Sequence, residues 1–333
     1  MVKYAEVLQS NSKFFSTKAA SNLTAVFVGA TQGIGLGALR AFAKHTSGSS
    51  PSIYIVGRSQ KTLDKLTSDI SVLNASAKIY PIHANDLTLV KDAQMAANEI
   101  ASHAQKVDFL IMSPGYVSTG RVESPEGLDR VQSIRFYARM RFLDTLAPLL
   151  QKSSSPHVVS VLGAGTEGKI WDDDLLLKDH YSLAAAAGAA GSMKALYLEE
   201  FSKQPGNDRI SLVHTFPGIV GGTGLRVEGV PWFLQPLLDW VAMPLMKLFG
   251  ATIEQVGERT LYAATSEKLP ARSNKSDLAA KGSDGNVGSG FYLLGQDSEP
   301  IPGNKQLEEL RSEGLGPKVW EHTNEVFAKV EKM

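Results

Sequence analysis

Short apolar runs alternate with longer segments of helical period along the first two-thirds of this sequence. The runs Leu23–Val28, Ser52–Val56, Lys78–Pro81, Val107–Met112, His157–Leu162 and Arg209–Phe216 read as strands. Between them, the spacing of apolar residues predicts helices over about Ile34–Lys44, Leu63–Leu73, Leu89–His103, Gly127–Leu150 and Tyr181–Phe201. Such alternation favours βαβ units, because parallel strands need a crossover that packs back onto the sheet. The strands are continuous apolar runs, as expected when helices cover both faces. The expectation is α/β: a doubly wound parallel sheet in three layers, α/β/α, as a single domain over residues 1–333. Two inserts stand out. Residues 225–250 are rich in Trp, Phe, Leu and Pro, and residues 271–288 are rich in Gly, Ser and Asp and are expected to form a flexible surface loop.

Of the 333 residues 43% are apolar, ample for such a core. Lys+Arg and Asp+Glu balance at 34 each, which leaves no basic footprint for nucleic acid and no polybasic anchor for anionic lipid. Cysteine is absent, so disulfides, thiolate nucleophiles and thiolate-bound metals are excluded; the seven histidines are scattered, and no metal is expected. The first twenty residues lack the apolar run of a secretory signal, and charges and prolines break 225–250, so no membrane span is expected. A soluble, cytoplasmic protein is the expectation.

The first strand runs straight into Gly29-Ala30-Thr31-Gln32-Gly33-Ile34-Gly35 and then a helix. Glycines suit a sharp turn that brings backbone close to a pyrophosphate, and the helix N-terminus offers free N–H groups and a positive dipole end to that anion. A tight turn that binds nothing is the bland alternative. In this context the dinucleotide reading is stronger. The second strand ends Gly57-Arg58-Ser59, where an acidic residue would bind a ribose 2′-hydroxyl and repel a 2′-phosphate. A guanidinium can instead clamp that phosphate, with Ser59 adding a hydrogen bond, so NADP(H) is predicted. A solvated surface arginine is the competing reading.

The spacing of Gly29, Gly33 and Gly35 resembles the glycine motif of the short-chain dehydrogenase/reductase family, and the resemblance runs from Leu23 to Leu294. It is closest to a branch common in fungal natural-product pathways, which carries segments like Val158–Gly165, Tyr181-Ser182-Leu183 and Lys318–Thr323. The resemblance implies a Rossmann-like fold and further cofactor contacts. Asp86, followed by Leu87, would hold the adenine amino group. Ser113-Pro114-Gly115 stands where the family has Asn-Ala-Gly, and Pro217, Gly218, Val220 and Thr223 would line the nicotinamide and phosphates.

The family uses Asn, Ser, Tyr and Lys to move a proton to or from the reacting oxygen. Here Tyr181 matches the tyrosine, but Ala185 stands at the lysine, Gly163 at the serine and Arg135 at the asparagine. Ser160 lies an odd offset from Gly163 and points to the other face of its strand. Lys194 is several turns along the helix from Tyr181. Arg135 brings a permanent charge to this region and is expected to pull the Tyr181 pKa down; pairing with a cofactor phosphate or a nearby carboxylate is the alternative. Asp172-Asp173-Asp174 and His180 read as a solvated loop, or else as a general acid or a cation-binding site.

The apolar insert, including Trp232, Phe233, Leu237 and Trp240, is expected to close over a hydrophobic small-molecule substrate. An interface with a second subunit or a membrane surface is the competing reading. The Ala/Gly-rich stretch Ala184–Gly191 would let another helix approach closely, internally or across a homodimer. Together these features suggest an NADPH-dependent oxidoreductase acting on a hydrophobic secondary metabolite, with Tyr181 as proton donor. The changed positions keep open a non-redox cyclase or isomerase that still binds NADP(H), or a non-catalytic dinucleotide sensor.

Overall fold

The computed structural model describes residues 1–17, 22–223, 227–237, 240, 244–245, 248, 250–274 and 276–333. Its strands are β1 Thr24–Val28, β2 Ser52–Gly57, β3 Lys78–His83, β4 Phe109–Met112, β5 Val117–Ser118, β6 His157–Val161, β7 Ser211–Thr215, β8 Val227–Glu228, β9 Phe291–Leu294 and β10 Pro300–Ile301. The helices of eight residues or more are α1 Tyr4–Thr17, α2 Gly33–His45, α3 Gln60–Leu73, α4 Val90–His103, α5 Ala138–Leu150, α6 Leu183–Lys203, α7 Ile253–Thr265, α8 Lys305–Ser312 and α9 Leu315–Glu331.

Eight strands form one sheet in the order β10-β9-β7-β6-β4-β1-β2-β3, and β5 pairs with β8 apart from it. All neighbours in the large sheet are parallel except β10, which runs antiparallel to β9 at the edge. This is the doubly wound parallel sheet expected from the sequence, with one antiparallel strand added at its edge. Strand order reverses between β1 and β4, and such a switch point opens a crevice at the carboxyl ends of the strands.

Successive residues of a strand face opposite ways, and the core divides accordingly. Val26, Val28, Leu110 and Met112 join one buried cluster with α4, α5, α6, α8 and α9. Ala25, Phe27, Phe109 and Ile111 join the other, with α1, α2, α3 and α7. That is the three-layer arrangement. Among the described residues no helix is long and apolar enough to cross a membrane.

Local chemistry sets the helix ends. Ser182 caps α6 by accepting a hydrogen bond from the Ala185 amide, so the helix begins at Leu183 and leaves Tyr181 outside it, against expectation. The helix expected over 127–150 instead starts with Arg130–Gln132 and passes through a π turn, Ser133–Tyr137, before α5. The segment 271–288 is pinned to the body: Ser283 Oγ donates to Glu199, and Arg311 donates to the Ser283 carbonyl. The small residues of Ala184–Gly191 let a loop approach closely: the Gly168 amide donates to the Gly188 carbonyl at 3.1 Å.

Helix α7 lies on α2 with glycine against glycine, and a Cβ on Gly257 would collide with the Gly37 backbone. Gly257→Ala is expected to cost about 1–3 kcal/mol by overpacking. Gly120, which faces open space, should accept Ala within roughly 0.5 kcal/mol. Urea unfolding of the two variants compares them directly.

Candidate active site

A cavity of about 700 Å³ opens at the carboxyl ends of the central strands, over the switch point. One wall is the turn from β1 to α2. Gly29 has φ +81 and lies so close to β4 that a Cβ would sit 2.6 Å from the Pro114 nitrogen. Gly33, at φ +59, abuts the Thr223 carbonyl, which folds the segment after β7 over the turn. Thr31, Gln32, Gly33 and Ile34 line the cavity. The extended residue ahead of α2, Gln32, makes no side-chain cap hydrogen bond, and Gly33 and Ile34 of the first helical turn line the cavity, as an anion site requires. Gly35 has a different duty. It stands behind the wall, where a Cβ would strike the Ser113 hydroxyl and the Gly29 carbonyl.

At one end the cavity is bounded by Gly57 and the exposed Arg58. Ser59 is not on the wall. Its hydroxyl caps α3 by accepting from the Thr62 amide at 3.3 Å, which leaves its hydrogen to donate elsewhere. Asp86 and Leu87 do line the cavity, but the Asp86 carboxylate is already engaged by the Thr88 amide and the Arg130 guanidinium. Burial alone would raise this carboxyl; those hydrogen bonds and the ion pair outweigh it and hold it below the usual range.

The other end gathers residues from distant parts of the chain. Ser113, Pro114 and Gly115 follow β4, and Pro217, Gly218, Val220 and Thr223 follow β7. Arg135, in the π turn, donates through Nη2 to the Tyr116 carbonyl at 3.0 Å, while its Nε has no partner. Single π turns inside helices are frequent at functional sites. Tyr181 is near Arg135 electrostatically but is not on the cavity wall, and its buried hydroxyl has no hydrogen-bond partner. Burial, then the Asp129 carboxylate, raise the Tyr181 pKa; Arg135 and Arg121 pull against them without prevailing. The expected lowering is therefore corrected, because desolvation of the phenolate exceeds the pull of the cation.

Two residues that the sequence reading passed over stand on this wall, Tyr116 and Thr166. Burial pushes the Tyr116 phenol up to about 12. From α6 only Ala187 and Gly191, one turn apart, reach the cavity. Lys194 continues their stripe but lies fully buried, its Nζ 3.5 Å from His214 Nε2. His214 Nδ1 in turn lies 4.0 Å from Glu167. Burial comes first, and the nearby Arg139 charge adds to it, in pulling both Lys194 and His214 well below their ordinary ranges.

Arg139 forms the floor. Only 1% exposed, it donates to the Met112, Val161 and Pro114 carbonyls, to Ser160 Oγ at 2.8 Å and to the Ile134 carbonyl. One sequence signal could have found it. Arg139 is the charged member of an otherwise apolar stripe with Phe136, Leu143 and Leu146.

The remaining expectations resolve structurally. Asp174 accepts from the amides of Lys178, Asp179 and His180, Asp172 pairs with Lys318, and His180 stacks on Trp171 at 4.6 Å. Of the apolar insert, Leu225, Leu238, Val241, Met243 and Met246 lie outside the described residues. Trp232, Phe233, Leu237 and Trp240 are exposed and do not line the cavity, whereas Glu228 of the same insert does.

Residues 23–226 match the family model described as short chain dehydrogenase. The chain is 34% identical to oxidoreductase AN1596 of Emericella nidulans, over 98% of both chains. It is 32% identical to oxidoreductase andH of Emericella variicolor, over 93% of both. L-sorbose reductase from Gluconobacter frateurii, solved with NADPH and L-sorbose, superposes with a TM-score of 0.55 at 16% identity, over 74% of this chain and 90% of that one.

The π turn is tied to the C-terminal helix, where Tyr137 hydroxyl and His322 Nε2 of α9 are 2.8 Å apart. Burial holds the His322 imidazole down at about 4 and keeps the Tyr137 phenol protonated, so the tyrosine donates. Unfolded, this imidazole would take up a proton below about pH 6.5, whereas folded it resists until about 4. Its contribution to stability is thus complete above about pH 6.5 and is lost as pH falls toward 4. Between those limits the stability of the wild type should fall with decreasing pH more steeply than that of His322→Gln, by up to about 1.4 kcal/mol per pH unit. Urea titrations at stepped pH measure the difference.

Proposed function

The chain belongs to the short-chain dehydrogenase/reductase family, and on that premise we propose that it is an NADPH-dependent oxidoreductase. It reduces a C=O, C=N or activated C=C bond of a hydrophobic secondary metabolite. The observation that carries this reading is one continuous cavity with two chemically different ends. One end offers uncapped α2 amides and Arg58 to phosphates. The other sets Arg135 and Tyr116 among Val117, Ile134, Leu162 and Phe216, an apolar surround suited to a hydrophobic substrate.

The residues fit a pyridine dinucleotide. Gly29, Gly33 and the uncapped helix start supply the close backbone approach and the donors that a diphosphate needs. Arg58 would bind the 2′-phosphate, and the segment Pro217–Thr223 would cover the nicotinamide half. When bound, the reduced dinucleotide supplies the hydride. The protein then has to place the substrate, stabilise charge on its oxygen or nitrogen, and deliver one proton.

We assign the proton to Tyr181. A buried hydroxyl without a partner is uncommon, and a functional role is one reason for it to persist. Burial keeps this phenol protonated at neutral pH, which suits an acid in the reduction direction. Arg135 stabilises the phenolate left behind. Tyr116, already on the wall, is the alternative donor. A second reading is a non-redox cyclisation or isomerisation that retains NADP(H), and one observation favours it: the α6 face turned to the cavity carries Ala187 and Gly191 and no amine.

Three outcomes are expected. Saturating NADPH should raise the melting temperature by the equivalent of about 2.7 kcal/mol at a hundred times Kd, and NADH by much less. Arg58→Ala should weaken NADPH binding roughly tenfold to a hundredfold, the loss of a charge-assisted contact of about 1.5–3 kcal/mol, and leave NADH binding unchanged. With stereospecifically deuterated NADPH, deuterium should appear in the product, and Tyr181→Phe should lower turnover by roughly 10²–10⁴-fold. Unlabelled product formed without NADPH consumption would establish the second reading. A larger loss in Tyr116→Phe than in Tyr181→Phe would transfer the proton to Tyr116.

A further inference from the structure

We propose that the Thr166 hydroxyl is a catalytic residue that holds the oxygen of the reacting carbonyl, in the room left by the absent side chain of Gly163. The proposal rests on the reductase reading above. Thr166 is exposed and lines the same cavity as Tyr116 and Arg135. A Cβ built on Gly163 would lie 2.7 Å from Thr166 Oγ1, so the threonine oxygen fills the space a side chain at Gly163 would enter. Its hydroxyl donates to the Gly163 carbonyl at 2.7 Å.

The loop carrying Thr166 is fixed from several sides. The Gly165 amide donates to the Glu167 carboxylate at 3.0 Å, and Asn304 donates to the Glu167 carbonyl at 2.7 Å. Ser192 Oγ donates to the Gly168 carbonyl at 2.5 Å, and a Cβ on Gly168 would lie 2.8 Å from the Gly188 Cα. So many ties for one exposed hydroxyl describe a donor whose position is set before substrate arrives. The Gly163 carbonyl also accepts from the Thr166 amide at 3.2 Å, so the hydroxyl can turn from it to a ligand without leaving an unpaired acceptor.

In the step itself the carbon–oxygen π bond breaks as a carbon–hydrogen bond forms, with the hydride taken from the reduced dinucleotide. The π electron pair moves to oxygen, and the phenol supplies the proton that completes the alcohol. Thr166 neither gains nor loses a proton. Its hydrogen bond strengthens as negative charge grows on the oxygen, and the same oxygen then accepts from the product O–H.

The test uses phenanthrenequinone, a hydrophobic activated carbonyl, as probe with the full chain and NADPH. Thr166→Val should lower kcat/KM by roughly 10²–10³-fold, the usual effect of losing one such donor, with the NADPH dissociation constant unchanged. Thr166→Ser should stay close to wild type. The double variant Gly163→Ser/Thr166→Ala should recover much of what Thr166→Ala loses, since it returns a hydroxyl to the same space. An infrared spectrum of the probe bound with NADP⁺ gives a readout that needs no turnover. Its carbonyl stretch should move to lower frequency in the wild type and not in Thr166→Val. A Thr166→Val enzyme of near-normal kcat/KM, a stretch insensitive to that substitution, or a probe that does not bind would overturn the proposal. A Thr166-dependent stretch without any turnover would support the contact and count against the reductase reading.

Discussion

A guanidinium sealed beneath the cavity holds its two halves in register. Arg139 has no carboxylate partner among the described residues, and five acceptors from three segments of chain surround it instead. Burying a charge costs several kcal/mol unless its donors are satisfied, so the ends of β4 and β6 and the turn before α5 are fixed relative to one another. Burial and the neighbouring Arg135 lower this guanidinium to about 9, and it remains a cation at neutral pH. The charge therefore persists under the wall where substrate charge would develop.

Close backbone contacts complete the frame. Gly29 against Pro114 brings the β1 turn onto the end of β4, and Gly168 against Gly188 brings the loop after β6 onto α6. The first contact shapes the turn that would cradle a phosphate. The second orients Thr166 and leaves only small residues of α6 facing the cavity. The π turn contributes Arg135, and its last residue, Tyr137, is bonded to α9, so a helix more than 180 residues away in sequence helps fix the active-site cation.

Much of this was legible in advance, and the reasons differ by element. Strand–helix alternation identified six strands of the large sheet, because both faces of a parallel sheet must be apolar. The glycine spacing located the cradle because few other residues tolerate positive φ or such close approach. Ser59 and Tyr181 were harder. Ser59 caps a helix with its oxygen while its hydrogen is still able to meet a phosphate, so the sequence could not show that it lies off the cavity wall. The Ser182 cap moved the start of α6 past Tyr181, and a single hydroxyl at that position decides it. Thr166 went unnoticed because no spacing pairs it with Gly163; only the turn after β6 brings them together.

Periodicity and glycine placement were enough to determine the layer architecture and the location of the glycine turn, since both follow from local backbone and hydrophobic rules. The buried group of Arg139, Lys194, His214 and Glu167, the polar groups at the far end of the cavity and the protonation of Tyr181 were decided by the tertiary structure. Each depends on burial and on neighbours dozens of residues away, and the electrostatic balance between desolvation and a nearby charge has a sign only once those distances exist.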